Sequence, residues 1–262
     1  MSEELIEARF LELLNRAYEG WQQKIEADFS AGAFAHELEL LESDDLYSTF
    51  GLATPEYVLI RLMGRMSISI GRRLGELYDN LPKYVASERF GITPAQVARK
   101  VSGLNLDVCI PTAELLTEDQ EAVTACALTH LDVDITEMAG LGIEIRYNFN
   151  PNDSARLRKD VAMADGLVEQ DLVPVYLVFS AISPREDAIR RLRNAGWRFL
   201  IADQASSFTK DLLGLDLAVL FNDPKVRKIV ANGVDGMMAS LFGSAAFRGA
   251  VEAERSRRVA DR

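Results

Sequence analysis

The spacing of apolar residues predicts two long helices in the first third of the chain. Between residues 3 and 28, leucine, phenylalanine and tryptophan side chains recur three or four positions apart, which is typical of an amphipathic helix. A second helix is predicted to begin at Thr54-Pro55, because threonine caps helices and proline suits the first turn. Pro82 is expected to stop or kink this helix, and the acidic stretch 30–55 is expected to be irregular.

In the centre of the chain the pattern changes to alternation of apolar and polar residues. LDVDIT (131–136) and IEIRYNF (143–149) both alternate, and Gly140 and Gly142 lie between them. Alternation predicts half-buried strands, and glycines between two strands predict a tight turn. We therefore expect an antiparallel hairpin here. Its register stays open, because a one-residue change in the turn moves every side chain to the other face.

Two apolar runs and three helical patterns follow the hairpin. Buried strands are predicted over 173–180 and 197–203, and helices over 155–170, 184–196 and 206–222. Strand, helix and strand in this order predict a parallel crossover connection. The fold class is thus α/β, with a mixed central sheet flanked by helices and an N-terminal helical region.

Before the hairpin, the sequence indicates a short strand at NLDVCI (105–110) and a helix over 117–129. For domain organisation, we expect residues 1–55 to form a helical arm suited to dimerisation. Residues 56–245 would form the α/β core, and residues 246–262 a polar C-terminal tail.

The charge of the chain is unevenly distributed. The net charge is −11, which by itself argues against a nucleic-acid partner, since phosphates attract Lys and Arg. Yet residues 61–100 hold eight basic side chains against three acidic ones, and residues 101–145 hold no Lys or Arg against nine acidic side chains. This asymmetry permits a local phosphate-binding surface on an acidic protein.

Several classes of protein are disfavoured by composition. Cys109 and Cys126 lack metal-ligand spacing, and His36 and His130 are too few for a histidine metal cage or an argued Ser-His-Asp triad. No leader peptide or membrane-spanning run is apparent. We therefore expect a cytoplasmic protein with reduced cysteines.

The predicted hairpin gathers three carboxylates, Asp132, Asp134 and Glu144. Neighbouring carboxylates repel one another unless they are protonated or bridged by a cation, and oxygen ligands suit Mg²⁺. A three-residue connection would set Asp134 opposite Arg146, whereas a two-residue turn would put the aspartates on the other face. The alternative interpretation is a hairpin whose acids simply face solvent.

An aspartate on one strand, a glycine-containing turn and Glu-X-Lys on the next strand form the pattern of PD-(D/E)XK nucleases, which this segment resembles. The block IEIRYNFNPNDSARLRKDVAMADGLVEQDLVPVYLVF, followed by NAGWRFLIADQASSFTKDLLGLDL, looks like type II restriction endonucleases of the ApaLI-like family. The resemblance is best over residues 130–220. It implies a nuclease-like core within residues 56–245.

The resemblance also implies roles for particular residues. Asp134, or Asp132, matches the metal-binding aspartate, with Asp107 as a less favoured competitor, and Glu144 matches the second metal carboxylate. Arg146 stands where the family has lysine. Because arginine stays cationic and cannot serve as a base, Arg146 would position the scissile phosphate or mark a lost activity.

The function implied is Mg²⁺-dependent hydrolysis of double-stranded DNA at a short specific sequence, within a restriction-modification system and by a homodimer. The alternative is a non-catalytic DNA-binding or interaction protein with a degenerate nuclease fold. Candidate arginines for DNA contact lie on the second helix, where they could equally pair with the acidic arm, and candidate asparagines follow the motif, where they could equally form a turn. The additional candidates are an acid, Glu76, and the DNA-binding residues Arg61, Arg65, Arg72, Asn148, Asn150 and Asn152.

Overall fold

A computed structural model describes residues 3–147, 149, 154–181 and 186–260. The chain forms two compact units, one of Met1–Phe10 and Gly75–Asn222 and the other of Leu11–Leu74 and Asp223–Arg262. Its helices are α1 (Glu3–Asp28), α2 (Ala31–Glu42), α3 (Asp45–Thr49), α4 (Pro55–Phe90), α5 (Pro94–Val97), α6 (Thr117–Leu131), α7 (Ser154–Val168), α8 (Glu186–Asn194), α9 (Asp203–Leu213), α10 (Leu217–Asn222), α11 (Pro224–Phe242) and α12 (Ala245–Ala260). Its strands are β1 (Lys100–Val101), β2 (Leu104–Asn105), β3 (Val108–Pro111), β4 (Gly140–Arg146), β5 (Leu172–Val178) and β6 (Arg198–Ile201).

The first unit is built on a mixed four-stranded sheet in the order β3-β4-β5-β6. Strand β3 is antiparallel to β4, whereas β4, β5 and β6 are parallel. Every residue of β5 is buried, as expected for a strand whose two faces are covered by helices. The predicted α/β class, with a mixed sheet and flanking helices, is confirmed; β1 and β2 pair as a separate small ribbon.

Aromatic residues fill much of the core of this unit. The ring of Tyr176 stacks on Phe199 at 4.6 Å between centroids and meets Trp197 edge-on at 5.2 Å. Tyr176 and Trp197 are among the largest fully buried side chains. Both have a polar atom that must be hydrogen-bonded when buried, and each finds its acceptor on α7, as described below.

The predicted central hairpin is wrong. Helix α6 extends to Leu131, and Asp132 ends it in the left-handed conformation with φ 54°. Residues 132–139 form a loop, and β4 pairs with β3 instead. The alternation in LDVDIT reflects Leu131 and Ile135, which are buried four positions apart and also satisfy a two-residue period.

The two glycines expected in the hairpin turn lie within β4 instead. A Cβ on Gly140 would stand 2.0 Å from the carbonyl oxygen of Ile110, and its φ of +139° disfavours any side chain. A Cβ on Gly142 would stand 2.3 Å from Leu167 Cδ2. These glycines therefore permit close approach of β4 to its neighbours rather than a reversal of the chain.

Other segments also differ from the predictions. The stretch 30–55 holds α2 and α3, which are capped by the side chains of Ser30 and Asp44. Helix α4 continues through Pro82 to Phe90. The predicted helix 206–222 is divided into α9 and α10, because Gly214 ends α9 in the left-handed conformation.

The described part of the second unit consists of helices from its two chain segments, Leu11–Leu74 and Asp223–Arg262. Within it, the Trp21 indole donates a hydrogen bond to the Ser69 carbonyl at 3.5 Å. The polar segment expected as a C-terminal tail forms α12, since Ala246 and Ala250 bury one face of it. Both predicted boundaries, 55/56 and 245/246, lie inside this unit. Among the described helices, none has the length and apolar character needed to span a bilayer.

Candidate functional site

The pairing of β3 with β4 brings Asp107 next to Glu144. Val108 pairs with Ile143, so Asp107 lies beside the last residues of β4. The Oδ2 atom of Asp107 accepts a hydrogen bond from the Ile145 amide at 2.9 Å. The carboxylate that shares the site with Glu144 is thus Asp107, the aspartate that the sequence favoured less.

Arg146 lies between these two carboxylates. Its Nη1 donates to Asp107 Oδ2 at 3.1 Å and to the Ile145 carbonyl oxygen at 2.6 Å. Its Nη2 donates to Glu144 Oε1. The guanidinium therefore contacts three oxygens from three residues, while Glu144 Oε2 is buried and has no hydrogen-bond partner among the described residues.

A second cation reaches the site from α4, and the sequence analysis missed it. The Nζ atom of Lys83 lies 3.1 Å from Asp107 Oδ1, and both side chains are largely buried. Lys83 belongs to the basic segment 61–100 and directly follows Pro82, but nothing local in the sequence links it to Asp107. With Lys83, Arg146 and the Ile145 amide, both oxygens of Asp107 have donors.

A third carboxylate, that of Asp160 on α7, lies beside the same cleft as Glu144. It is buried, its Oδ2 accepts from the Tyr176 hydroxyl at 3.2 Å, and its carbonyl accepts from the Trp197 indole at 2.8 Å. Asp160 was not predicted, because the segment RLRKDVAMADGLV (156–168) in which it lies has the pattern of an ordinary helix. Beside these groups lies an open cleft of about 440 Å³, lined by Leu104, Asn105, Glu144, Arg146, Arg156, Lys159, Asp160 and Met163.

Burial and charge perturb the ionisation of this cluster. Burial, and then the neighbouring Asp107, raises the pKa of Glu144 well above its ordinary value, and Arg146 opposes that shift. Burial also raises the pKa of Asp160. For Arg146, burial alone would lower the pKa, but the carboxylates of Glu144 and Asp107 help to raise it instead. Such shifts in a cleft are typical of functional sites, although structural ion pairs also produce them.

The structure does not bring Asp132 and Asp134 to Glu144. Both lie in the exposed loop before β4, and Asp134 Oδ1 accepts from the amide and hydroxyl of Thr136 at 3.0 and 2.6 Å. Glu144 is four residues beyond the start of β4, which corresponds to about 13 Å of extended strand. The predicted grouping of these aspartates with Glu144 is therefore corrected, because it depended on the absent hairpin.

The remaining predicted residues are distributed over α4 and beyond. Glu76 lies seven residues before Lys83, two turns away on the same face of α4. Arg61 and Arg65, in the second unit, pair with Glu37 at 3.6 and 2.6 Å, which is the alternative to DNA contact. Arg72 lies further along α4 in that unit. Asn148, Asn150 and Asn152 lie outside the described residues.

The atoms that could bind a metal ion at this site are oxygens, the type that a hard divalent cation prefers. Asp107, Glu144 and the carbonyl of Ile145 supply oxygen, which Mg²⁺ prefers, and Glu144 Oε2 is without a protein donor among the described residues. Within the described ranges no three His, Cys, Asp or Glu side chains cluster as metal ligands. The guanidinium of Arg146 now stands among these oxygens, so they fit an ion provided that Arg146 moves.

Comparison with known proteins adds no relative. No family model, no curated protein and no solved structure matches the chain.

Proposed function

We propose that the protein is a Mg²⁺-dependent endodeoxyribonuclease that hydrolyses phosphodiester bonds of double-stranded DNA at a short specific sequence, with a PD-(D/E)XK core like that of ApaLI-like type II restriction endonucleases. The observation that carries the proposal is the juxtaposition of Asp107, the residue before β3, with Glu144 on β4, beside a cleft lined by cations. The arrangement is similar to the Asp and Glu-X-Lys pattern, with Asp107 taken as the aspartate and Arg146 in place of the lysine.

The cations of the cleft support a phosphate-bearing substrate. Arg146, Arg156 and Lys159 all line it, although the whole chain is acidic. Guanidinium groups bind phosphate oxygens in pairs, and ammonium groups act as point charges on them. A DNA backbone entering the cleft would meet positive charge before it met the carboxylates.

The residues divide the chemistry among them. Asp107, Glu144 and the Ile145 carbonyl would hold the ion, which when bound supplies charge stabilisation and lowers the pKa of water. Arg146 stays cationic and orients the phosphate. Lys83, the amine in contact with Asp107, keeps that carboxylate in place.

The second candidate is a DNA-binding or interaction protein that has lost cleavage. The observation in its favour is that Arg146 already neutralises Asp107 and Glu144. In that case the same cleft would bind the DNA backbone without hydrolysing it.

The test is incubation of the purified protein with several unmethylated DNAs in Mg²⁺ and in EDTA. We expect discrete fragments in Mg²⁺ alone, and none with Glu144→Gln when its circular dichroism matches that of the wild type. DNA that is bound but stays intact in Mg²⁺ and in Mn²⁺ would favour the second candidate. Sedimentation tests the expected homodimer, since palindromic sites are matched by two-fold symmetric proteins.

A further inference from the structure

The surroundings of the Arg146 guanidinium are those of a hard cation. Two carboxylate oxygens and one main-chain carbonyl oxygen converge on it. We propose that Arg146 is the resident cation of this site, and that a divalent metal ion displaces it from Asp107 and Glu144. The inference rests on the metal requirement of the proposed function and adds the way in which the site changes between its free and metal-bound states.

A resident cation stabilises the site because the carboxylates are close together and poorly solvated. Only 4% of the Glu144 side chain and 13% of the Asp107 side chain are exposed. Two such groups repel unless a proton or a cation neutralises them. Arg146 is two residues beyond Glu144 on the same face of β4, so the strand itself supplies the neutralising charge and the site can fold without metal.

Arg146 can leave while Asp107 stays in place, and the incoming ion would then neutralise Glu144. Its side chain is 20% exposed and lines the open cleft. Asp107 remains held by Lys83 at Oδ1 and by the Ile145 amide at Oδ2. Arg146 lines the cleft together with Arg156 and Lys159, so rotation towards the cleft would present its guanidinium to a substrate phosphate bound there.

Exchange of the two cations has a thermodynamic consequence. An ion that binds only after Arg146 has moved has a lower apparent affinity, because only a small fraction of the protein has Arg146 in the moved position. Removing the guanidinium removes this competition. A variant without it should therefore bind a divalent ion more tightly, even though it has lost a residue of the site.

The experiment is calorimetric titration of Mn²⁺, without DNA, into the wild type, Arg146→Met and the control Lys159→Met. Lys159 lines the same cleft, so its variant measures the general effect of removing one positive charge. We expect Arg146→Met to bind Mn²⁺ about tenfold more tightly than the wild type, equivalent to about 1.4 kcal/mol. The Lys159→Met variant should change the affinity by less than about threefold, as expected for an exposed, screened charge.

A second measurement covers the case in which Arg146→Met does not fold. In the wild type, the Nε–H resonance of Arg146, assigned by its absence from Arg146→Lys, should shift when Mg²⁺ is added. Equal Mn²⁺ affinities of wild type and a folded Arg146→Met, or an unmoved resonance while the ion binds, would overturn the exchange alone. Absence of ion binding in every variant would overturn the exchange and the metal requirement together. If the ion binds and DNA is cleaved in Mg²⁺, but neither the affinity difference nor the resonance shift is seen, only the exchange fails and the proposed function stands.

Discussion

Two groups of acids from the same lysine-free segment, residues 101–145, have opposite environments. The buried acidic pair, Asp107 and Glu144, lies where the start of β3 pairs with β4, and it contacts Lys83 and Arg146. The acidic loop, residues 132–137, is largely exposed, and Asp134 takes its hydrogen bonds from Thr136. Both groups have the same signal in the sequence, a high density of acids, yet it is Glu144 of the buried pair that lines the cleft beside Arg146, Arg156 and Lys159.

The difference teaches that long-range pairing, rather than local composition, decides which carboxylates can share a cation. Water screens the charges of the acidic loop, so they need no partner. The buried pair must be neutralised by protein groups, and those groups come from α4 and β4. Asp107 and Glu144 can be recognised as a site because burying two carboxylates would cost free energy if Lys83 and Arg146 did not neutralise them.

Substituting one acid from each group gives the largest expected contrast. On the proposed function, Asp107→Asn should reduce DNA cleavage by about 10³-fold, the scale of removing one electrostatic group from an active site. Asp134→Asn, which keeps the size of the side chain in the exposed loop, should leave cleavage within about twofold. Initial rates on one DNA fragment measure both variants. Equal losses in the two variants would break the comparison.

Gly140, where the acidic loop joins β4, should control the approach of the two strands. Gly140→Ala is expected to destabilise the protein by about 3 kcal/mol, because a Cβ would collide with the Ile110 carbonyl at a positive φ. Gly32→Ala is the control, since Gly32 lies in α2 and a Cβ added there would meet no neighbouring atom within 4 Å; it should be neutral or slightly stabilising. Urea unfolding measures both, and similar midpoints for the two variants would contradict the strand geometry.

Lys83→Met tests whether the buried pair depends on α4. The Lys83–Asp107 ion pair is partly buried, so its loss should lower the free energy of unfolding by about 1 kcal/mol after allowance for screening. Lys83→Arg, which keeps the charge, should recover part of this loss. The matched surface pair is Arg190–Asp187, whose side chains are 75% and 91% exposed, and Arg190→Met should have no measurable effect. Stability of Lys83→Met equal to the wild type would show that α4 does not support Asp107.

Sequence reasoning predicted the parallel part of the fold and missed the antiparallel part. Strand β5 was found because it is a continuous apolar run, and β6 because three apolar residues follow its first residue, Arg198; each signal is contained within its own segment. The partner of β4 was missed because helix α6 separates β3 from β4, and no local pattern encodes such a pairing. Glu144 and Arg146 lie two apart on one strand, so their shared face followed from strand geometry, whereas Lys83 and Asp160 come from distant helices.

The smallest expected effect is on the pKa values of the carboxyl groups, which shift in opposite directions in the two groups: downwards for Asp134 and upwards for Glu144. Hydrogen bonds from Thr136 lower the pKa of Asp134, so its contribution to stability is present above the unfolded pKa and is lost as pH falls through the folded pKa. Burial raises the pKa of Glu144, so its contribution is present below the unfolded pKa and is lost as pH rises through the folded pKa. Carboxyl ¹³C resonances followed against pH should therefore give a midpoint above the ordinary value for Glu144 and below it for Asp134. Thr136→Ala should raise the midpoint of Asp134 alone. A Glu144 midpoint at or below that of exposed glutamates would mean that the effect of Arg146 or of water outweighs burial at this carboxylate, and the contrast in titration between the buried pair and the acidic loop would fail.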